Sequence, residues 1–239
     1  MSKEIFGKIY AEKAWGDGSD LLPLSGSGSN FVNARPYVGF VEKIVNKFDI
    51  KTLVDLGHGD WSMWKEYQFN DVKYLGIDVA EGLSEKMQKI LGGENRKFIY
   101  LDFQESEIPS SQMLICKDVL QHLSNFQIMN LLDNLNNFDY IIFCNDIYIR
   151  KSIFFEIREM LQIRKRFNSI LHLKNPLFLN LRINNRNIVV GSFRGIDLEK
   201  KPFKNFLSSY TLMDWFDYDG PQRIGIKKRV YLYKRKSTS

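Results

Sequence analysis

The chain has 239 residues, a hydrophobic fraction of 44%, aromatics at 14% and a net charge of +6. So much apolar material excludes a disordered chain, and the length suits one well-buried domain over residues 1–239. No apolar stretch reaches the roughly 18 residues that span a bilayer, and Met1–Tyr10 has no signal-peptide core, so a cytoplasmic protein is expected.

Residues 1–37 form an N-terminal segment with Tyr10, Trp15 and the Gly/Ser stretch Ser25–Ser29. Apolar positions at Val38, Phe40, Val41, Ile44 and Val45 predict a helix over Arg35–Phe48. Strand-like runs then alternate with helix-like ones. The strands are Thr52–Leu56, Tyr74–Asp78, Phe98–Phe103, Met113–Val119 and Tyr140–Asn145. The helices between them are Trp61–Tyr67, Gly82–Leu91 and Asn125–Asn134. This order reads as βαβ units around a parallel sheet with helices on both faces. Cys116 and Cys144 each lie inside an apolar run and read as buried core thiols of a reducing compartment.

Beyond Asn145 the pattern predicts an amphipathic helix or helix pair over Ser152–Leu173, strands over Pro176–Ile183 and Asn187–Phe193, and a final strand over Arg229–Lys234. The last of these belongs to an antiparallel edge hairpin. Lys151–Lys200 holds ten Lys/Arg against four Asp/Glu, so residues 147–205 form a basic region on the acceptor side. A basic face suits a phosphorylated small molecule, a nucleic acid or a membrane surface, or is a plain solvated surface. Arg164–Arg166, with Ile153, Phe154 and Ile157 before it, would suit peripheral membrane contact; His172 reads as structural.

Most of the chemical signal lies in Val54–Trp61 (VDLGHGDW) and Tyr74–Val79 (YLGIDV). A strand that stops at Gly57 and Gly59 leaves backbone N–H groups bare, where a nucleotide-like ligand approaches closely. Asp78 closes the next strand, placed to accept hydrogen bonds from ribose hydroxyls. Asp55 would repel a pyrophosphate but suits a cationic amine and sulfonium, which separates S-adenosylmethionine from a dinucleotide. Asp102 ends the third strand, where it can accept from an adenine amino group with Phe103 beside the ring. Each acid alone is more often a helix cap; three at successive strand ends point to the methyl donor. Trp61 and Trp64 read as core.

These runs resemble class I S-adenosylmethionine-dependent methyltransferases over about residues 35–146. A narrower resemblance, to enzymes of surface-polysaccharide biosynthesis, rests on Trp15–Asp20, Ser25–Ser29 with Asn33 and Tyr37, Gly57–Trp61 and Cys116–Ser124. Gly191, Arg194, Asp197, Leu198, Pro202 and Phe203 match a later pattern of that group, which usually has cysteine where His58 stands. The resemblance implies a Rossmann-like, seven-stranded, mostly parallel sheet, with residues 1–37 capping the cofactor site. It also implies that Trp15, Ser29, Val79 and Lys117 join Asp55, Gly57, Gly59, Asp78, Asp102 and Phe103 in holding the cofactor.

Methyl transfer is an in-line displacement, so holding nucleophile and methyl in line supplies much of the rate. A sugar hydroxyl must also lose its proton to a base. His122 suits that task by its ordinary pKa, with Asp118 and Asp146 as alternatives. His122 also reads as a structural histidine or, with Asp118 and Gln121 on one turn, as a ligand of a divalent metal. Arg194 is a candidate clamp for an anionic acceptor, and Tyr37 a second acceptor contact.

The resemblance implies a sugar hydroxyl of a nucleotide-linked or growing surface glycan as acceptor. A charged phosphoryl-type group on such a precursor is the competing acceptor, and would need no strong base. A nucleic-acid methyltransferase ranks below both, because no Asn-Pro-Pro-type motif follows the fourth strand. A non-catalytic scaffold would not need the three acids.

Overall fold

The computed structural model describes residues 2–67, 69, 71–149, 183–221 and 225–237. Among these, seven strands form one sheet: β1 (Thr52–Leu56), β2 (Lys73–Asp78), β3 (Arg96–Tyr100), β4 (Ser111–Lys117), β5 (Phe138–Tyr148), β6 (Tyr210–Tyr218) and β7 (Ile226–Arg235). Their order is β3-β2-β1-β4-β5-β7-β6. The first five are parallel, while β7 runs antiparallel to both β5 and β6. This is the Rossmann-like sheet with an antiparallel edge that the sequence predicts. The order reverses between β1 and β4, and a crevice opens at the carboxyl ends of strands at such a switch point.

Apolar surface on both sides of the central strands is covered by helices, which is why β1 and β4 are almost wholly buried along their length. On one face lie α2 (Phe31–Lys47) and α3 (Glu81–Leu91), burying Tyr37, Val41, Ile44, Leu83 and Met87 with Leu53, Met113 and Ile115. On the other, Phe6 of α1 (Ser2–Ala11) and Ile128, Leu131 and Leu132 of α4 (Asn125–Asp133) pack with Val54, Leu114 and Phe143. Local chemistry sets the helix starts. The Asn30 side chain accepts from Val32 N–H, so α2 begins four residues before the expected Arg35. A capping box between Ser124 and Gln127 starts α4.

Three expectations need correction. The run Trp61–Tyr67 yields only a 3₁₀ turn at Ser62–Trp64, because Trp61 is left-handed (φ 61°) and breaks the helical path. The third strand ends at Tyr100, so Asp102 and Phe103 lie beyond it and turn into the crevice. Asn187–Phe193 is not a strand: Gly191 has φ 84°, its N–H donates to the His122 carbonyl, and Ser192 N–H donates to that of Val189. The expected elements over Ser152–Leu173 and Pro176–Ile183, with Arg164–Arg166 and His172, lie, except for Ile183, outside the described residues. Among the described residues no helix is long and apolar enough to cross a membrane.

Candidate functional site

A cleft of about 820 Å³, partly open to solvent, lies at the carboxyl ends of β1, β2 and β4. Its lining includes Gly57, Gly59, Asp78, Val79, Asp102, Phe103, Lys117, Asp118, His122, Trp15 and Ser29, all read as candidates in the sequence. Asp55, Tyr37, Gln121, Asp146 and Arg194 do not line it.

The loop after β1 is drawn back onto β2. Gly57 N–H donates to the Ile77 carbonyl (2.7 Å) and Gly59 N–H to Asp78 Oδ2 (3.1 Å). Asp78 Oδ1 accepts from Ala80 N–H (2.9 Å), which ties the start of α3 to the same carboxylate. Both glycines are left-handed, and a Cβ at Gly57 would overlap Val119 while one at Gly59 would overlap Ser25 Oγ. The glycines therefore make room for the chain's own cap and fourth-strand loop. His58, between them, points away from chemistry: Nδ1–H donates to the Gly59 carbonyl (2.7 Å) and Nε2 accepts from the Ser84 hydroxyl (3.1 Å).

Asp55 requires correction as a cofactor contact. It is fully buried inside β1, where Oδ2 accepts from the Tyr74 hydroxyl (2.6 Å) and Trp64 Nε1–H (3.1 Å). Oδ1 has no partner among the described residues, and burial pushes the carboxyl up although the Tyr74 bond opposes it. Asp55 thus braces the loop from beneath. Asp102, by contrast, stands at the cleft with Oδ1 accepting from Gln104 N–H (3.0 Å).

The N-terminal segment forms one wall through Ser2, Phe6, Trp15, Ser25 and Ser29. Ser25 Oγ accepts from Asp60 N–H (2.8 Å), and Ser25 N–H donates to Asp60 Oδ2 (3.3 Å). Trp15 packs over His122 with ring centroids 4.8 Å apart. His122 Nδ1–H donates to the Ser192 carbonyl (2.9 Å), which leaves the lone pair on Nε2, where it accepts at 3.4 Å from Gln121 Nε2–H. Burial pulls its pKa down to about 4, so the ring is neutral at physiological pH.

Asp118 adopts a left-handed backbone (φ 62°), a strained choice for a non-glycine residue. Its carboxylate is paired with both Lys117 and Lys228, and Lys228 Nζ also meets Asp146 Oδ1 (2.8 Å). Burial alone would raise the Asp118 carboxyl, but the two ammonium groups outweigh it and hold it well below the usual range. For Asp146 burial wins over Lys228 and the carboxyl is raised. Neither acid stands as an open base. Nor do Asp118, Gln121 and His122 form a ligand set: Gln121 Oε1 accepts from Asp146 N–H (2.9 Å), and Asp118 is committed to lysines. Among the described residues no cluster of three or more His, Cys, Asp or Glu could hold a metal.

Arg194 and Tyr37 are corrected as acceptor contacts, since both are fully buried. The Arg194 guanidinium donates to the Leu120 carbonyl (2.7 Å) and Asn125 Oδ1 (3.1 Å), holding the turn that carries His122. The Tyr37 ring packs on Trp64 in the core. Sequence reasoning missed Lys228, and reached Ser25 and Asp60 only as members of the runs Ser25–Ser29 and Gly57–Trp61, with no role assigned. Lys228 did leave a signal: it shares a strand face with buried Val230 and Leu232, where a lysine needs a partner.

No protein-family profile and no curated protein sequence matches the chain. Solved structures do. Magnesium protoporphyrin IX methyltransferase (ChlM) of Synechocystis PCC 6803, with bound S-adenosylhomocysteine, is 15% identical and superposes with a TM-score of 0.56 over 97% of this chain and 95% of its own. PKMT2 of Rickettsia typhi, in complex with S-adenosylhomocysteine, is 12% identical with a TM-score of 0.51 over 80% of this chain and 50% of its own. The methyltransferase SibL in its apo form is 11% identical, with a TM-score of 0.50 over 87% and 55%. The chain thus spans nearly all of the first and about half of the other two. It has the Rossmann-like fold of these S-adenosylmethionine-dependent methyltransferases.

Proposed function

We propose that the chain is an S-adenosylmethionine-dependent methyltransferase. The observation that carries this reading is the placement of Asp78 and Asp102 in one cleft with the glycine loop, between Val79, Leu101 and Phe103. The residues present fit such a cofactor. Asp78 spends one lone pair of each oxygen on Gly59 and Ala80, which leaves others for ribose hydroxyls. Asp102 Oδ2 is left to accept from an adenine amino group, and the apolar neighbours suit the ring faces. When bound, the cofactor supplies an electrophilic methyl group. The chain must align the acceptor oxygen, exclude water and receive its proton.

For the acceptor we propose a hydroxyl of a surface-glycan precursor. Support comes from the resemblance at Trp15–Asp20, Ser25–Ser29, Gly57–Trp61 and Cys116–Ser124, all four of which meet at the cleft through Trp15, Ser25, Gly59 and Lys117. His122 is the base of this reading, with its lone pair on Nε2. One observation favours the competing acceptor, a charged phosphoryl-type oxygen: a histidine with a pKa of about 4 is a weak base. Against it, Arg194 is buried in the fold and does not supply the clamp.

Calorimetric titration with S-adenosylhomocysteine tests the core reading, and absence of binding overturns it. His122→Ala separates the acceptors. Near-total loss of turnover with cofactor binding kept supports the hydroxyl; a small effect supports the charged oxygen.

A further inference from the structure

The strap Ser25–Ser29 is tied at Ser25 to Tyr10 (3.2 Å) and Asp60, at the Ser27 carbonyl to Asn33 Nδ2–H (2.9 Å), and at Gly28 to Lys117; the Asp60 and Lys117 ties belong to the cleft. Its first residue pairs with Asp60 as described. At its far end Lys117 Nζ donates to the Gly28 carbonyl (2.8 Å). Beneath Gly28 lies the four-charge cluster of Lys117, Asp118, Lys228 and Asp146, whose side chains are 1%, 16%, 4% and 7% exposed. Gly28 has no left-handed backbone that would call for glycine. It is there for closeness: a Cβ on it would stand 2.7 Å from Asp118 Oδ2 and 3.5 Å from Lys228 Nζ. The strap backbone therefore rests directly on the cluster.

A cluster of this kind is costly to bury and is weak evidence for stability as such. Within it Lys228 is bonded to both acids, Asp118 and Asp146. The cluster also holds Asp118 in its left-handed conformation, together with Asp118 N–H on the Cys144 carbonyl (2.8 Å). Removing Lys228 takes one of the two ammonium groups from the buried Asp118 carboxylate, so Asp118 and the surface under Gly28 must rearrange.

We propose that this cluster is the seat on which the strap docks to close the cofactor cleft, and that Lys228, which does not line the cleft, is a positioning residue for that closure. The proposal rests on the methyltransferase reading, because the ligand it retains is the cofactor. Seated, the strap keeps Ser25 on the glycine loop and Ser29 in the cleft wall; unseated, it uncovers the ligand.

Stopped-flow displacement of S-adenosylhomocysteine from the full chain tests this. Gly28→Ala and Lys228→Met are expected to speed release at least about tenfold, and Lys228→Arg to restore slow release in part. A merely structural role for Lys228 would lower thermal stability and leave the release rate within about twofold of wild type, which overturns the proposal. Gly28→Ala leaves every charge in place, so it decides the matter even where Lys228→Met fails to fold. Slow release from Gly28→Ala overturns strap docking while wild-type binding keeps the methyltransferase reading. A wild-type chain that binds no S-adenosylhomocysteine overturns both.

Discussion

Replacing Asp55 by Asn separates a brace from a cofactor contact. The carboxylate is enclosed by Tyr74 and Trp64, with Oδ1 lacking a partner among the described residues. Asn has the same shape, can turn its oxygen to both donors, and loses a charge that burial disfavours. Burial raises the Asp55 carboxyl in the fold. An acid with a raised folded pKa opposes folding progressively as pH climbs from its unfolded value through the folded one. Asp55→Asn is therefore expected to be at least as stable as wild type at pH 7. Any advantage should shrink as pH falls toward the unfolded carboxylate value of about 3.9. Tyr74→Phe acts in the opposite direction. It removes a hydrogen bond to a charged acceptor, worth about 1.5–3 kcal/mol, which in a chain of this size lowers Tm by about 3–12 °C. The two substitutions meet at one oxygen, so their effects should not add. Thermal unfolding between pH 4 and 8 reads the stabilities, and calorimetry reads S-adenosylhomocysteine affinity, which should stay within about threefold in both variants. An Asp55→Asn protein with unchanged Tm and a tenfold or greater loss of affinity would refute the reasoning and return Asp55 to the cofactor site.

Asp78→Ala removes the proposed ribose acceptor and strands the Gly59 and Ala80 N–H groups, so S-adenosylhomocysteine should bind about 10- to 150-fold more weakly by calorimetry. His122, pulled by burial to about 4, favours the unfolded state as pH falls below its ordinary 6.5, where unfolded chains take up the proton first. Denaturant midpoints at pH 7 and pH 5 should show a loss on acidification that His122→Gln reduces; equal slopes in the two proteins would contradict the neutral ring. Arg194→Lys cannot reproduce the two-point hold on Leu120 and Asn125. Loss of one such bond should cost about 1.5–3 kcal/mol in denaturant unfolding, with cofactor affinity unchanged.

The parallel core was legible because its signal is local. Thr52–Leu56 and the runs that pair with it are short, apolar and spaced by helix-period segments, and their buried placement follows from that pattern. Trp61–Tyr67 misled because its spacing is helical while Trp61 is held in a left-handed turn next to Gly59, a tertiary demand that composition does not show. Asn187–Phe193 misled in a similar way. Its backbone is fastened to the His122 carbonyl through Gly191 N–H, and the next residue, Arg194, donates its N–H to the Gln121 carbonyl, so the segment forms a buttress and not a ladder.

The three acids show why residue type and approximate position were not enough. Asp78 is the last residue of β2 and Asp102 stands two past the end of β3, so both carboxylates are free of the strand's alternation and turn into the crevice. Asp55 is the fourth of five residues in β1, on the face shared with Leu53, and alternation sends it into the core beneath α2. The same rule recovers Lys228. It alternates with Val230 and Leu232 on the buried face of β7, and a cation there must meet carboxylates, here Asp146 opposite it in β5 and Asp118 just past β4. Of the three acids, then, the two at or beyond a strand end face the cleft and the one inside its strand faces the core. The clamp on Asp118 follows from that alternation, and its Lys228 arm is the part of the site that no motif contained.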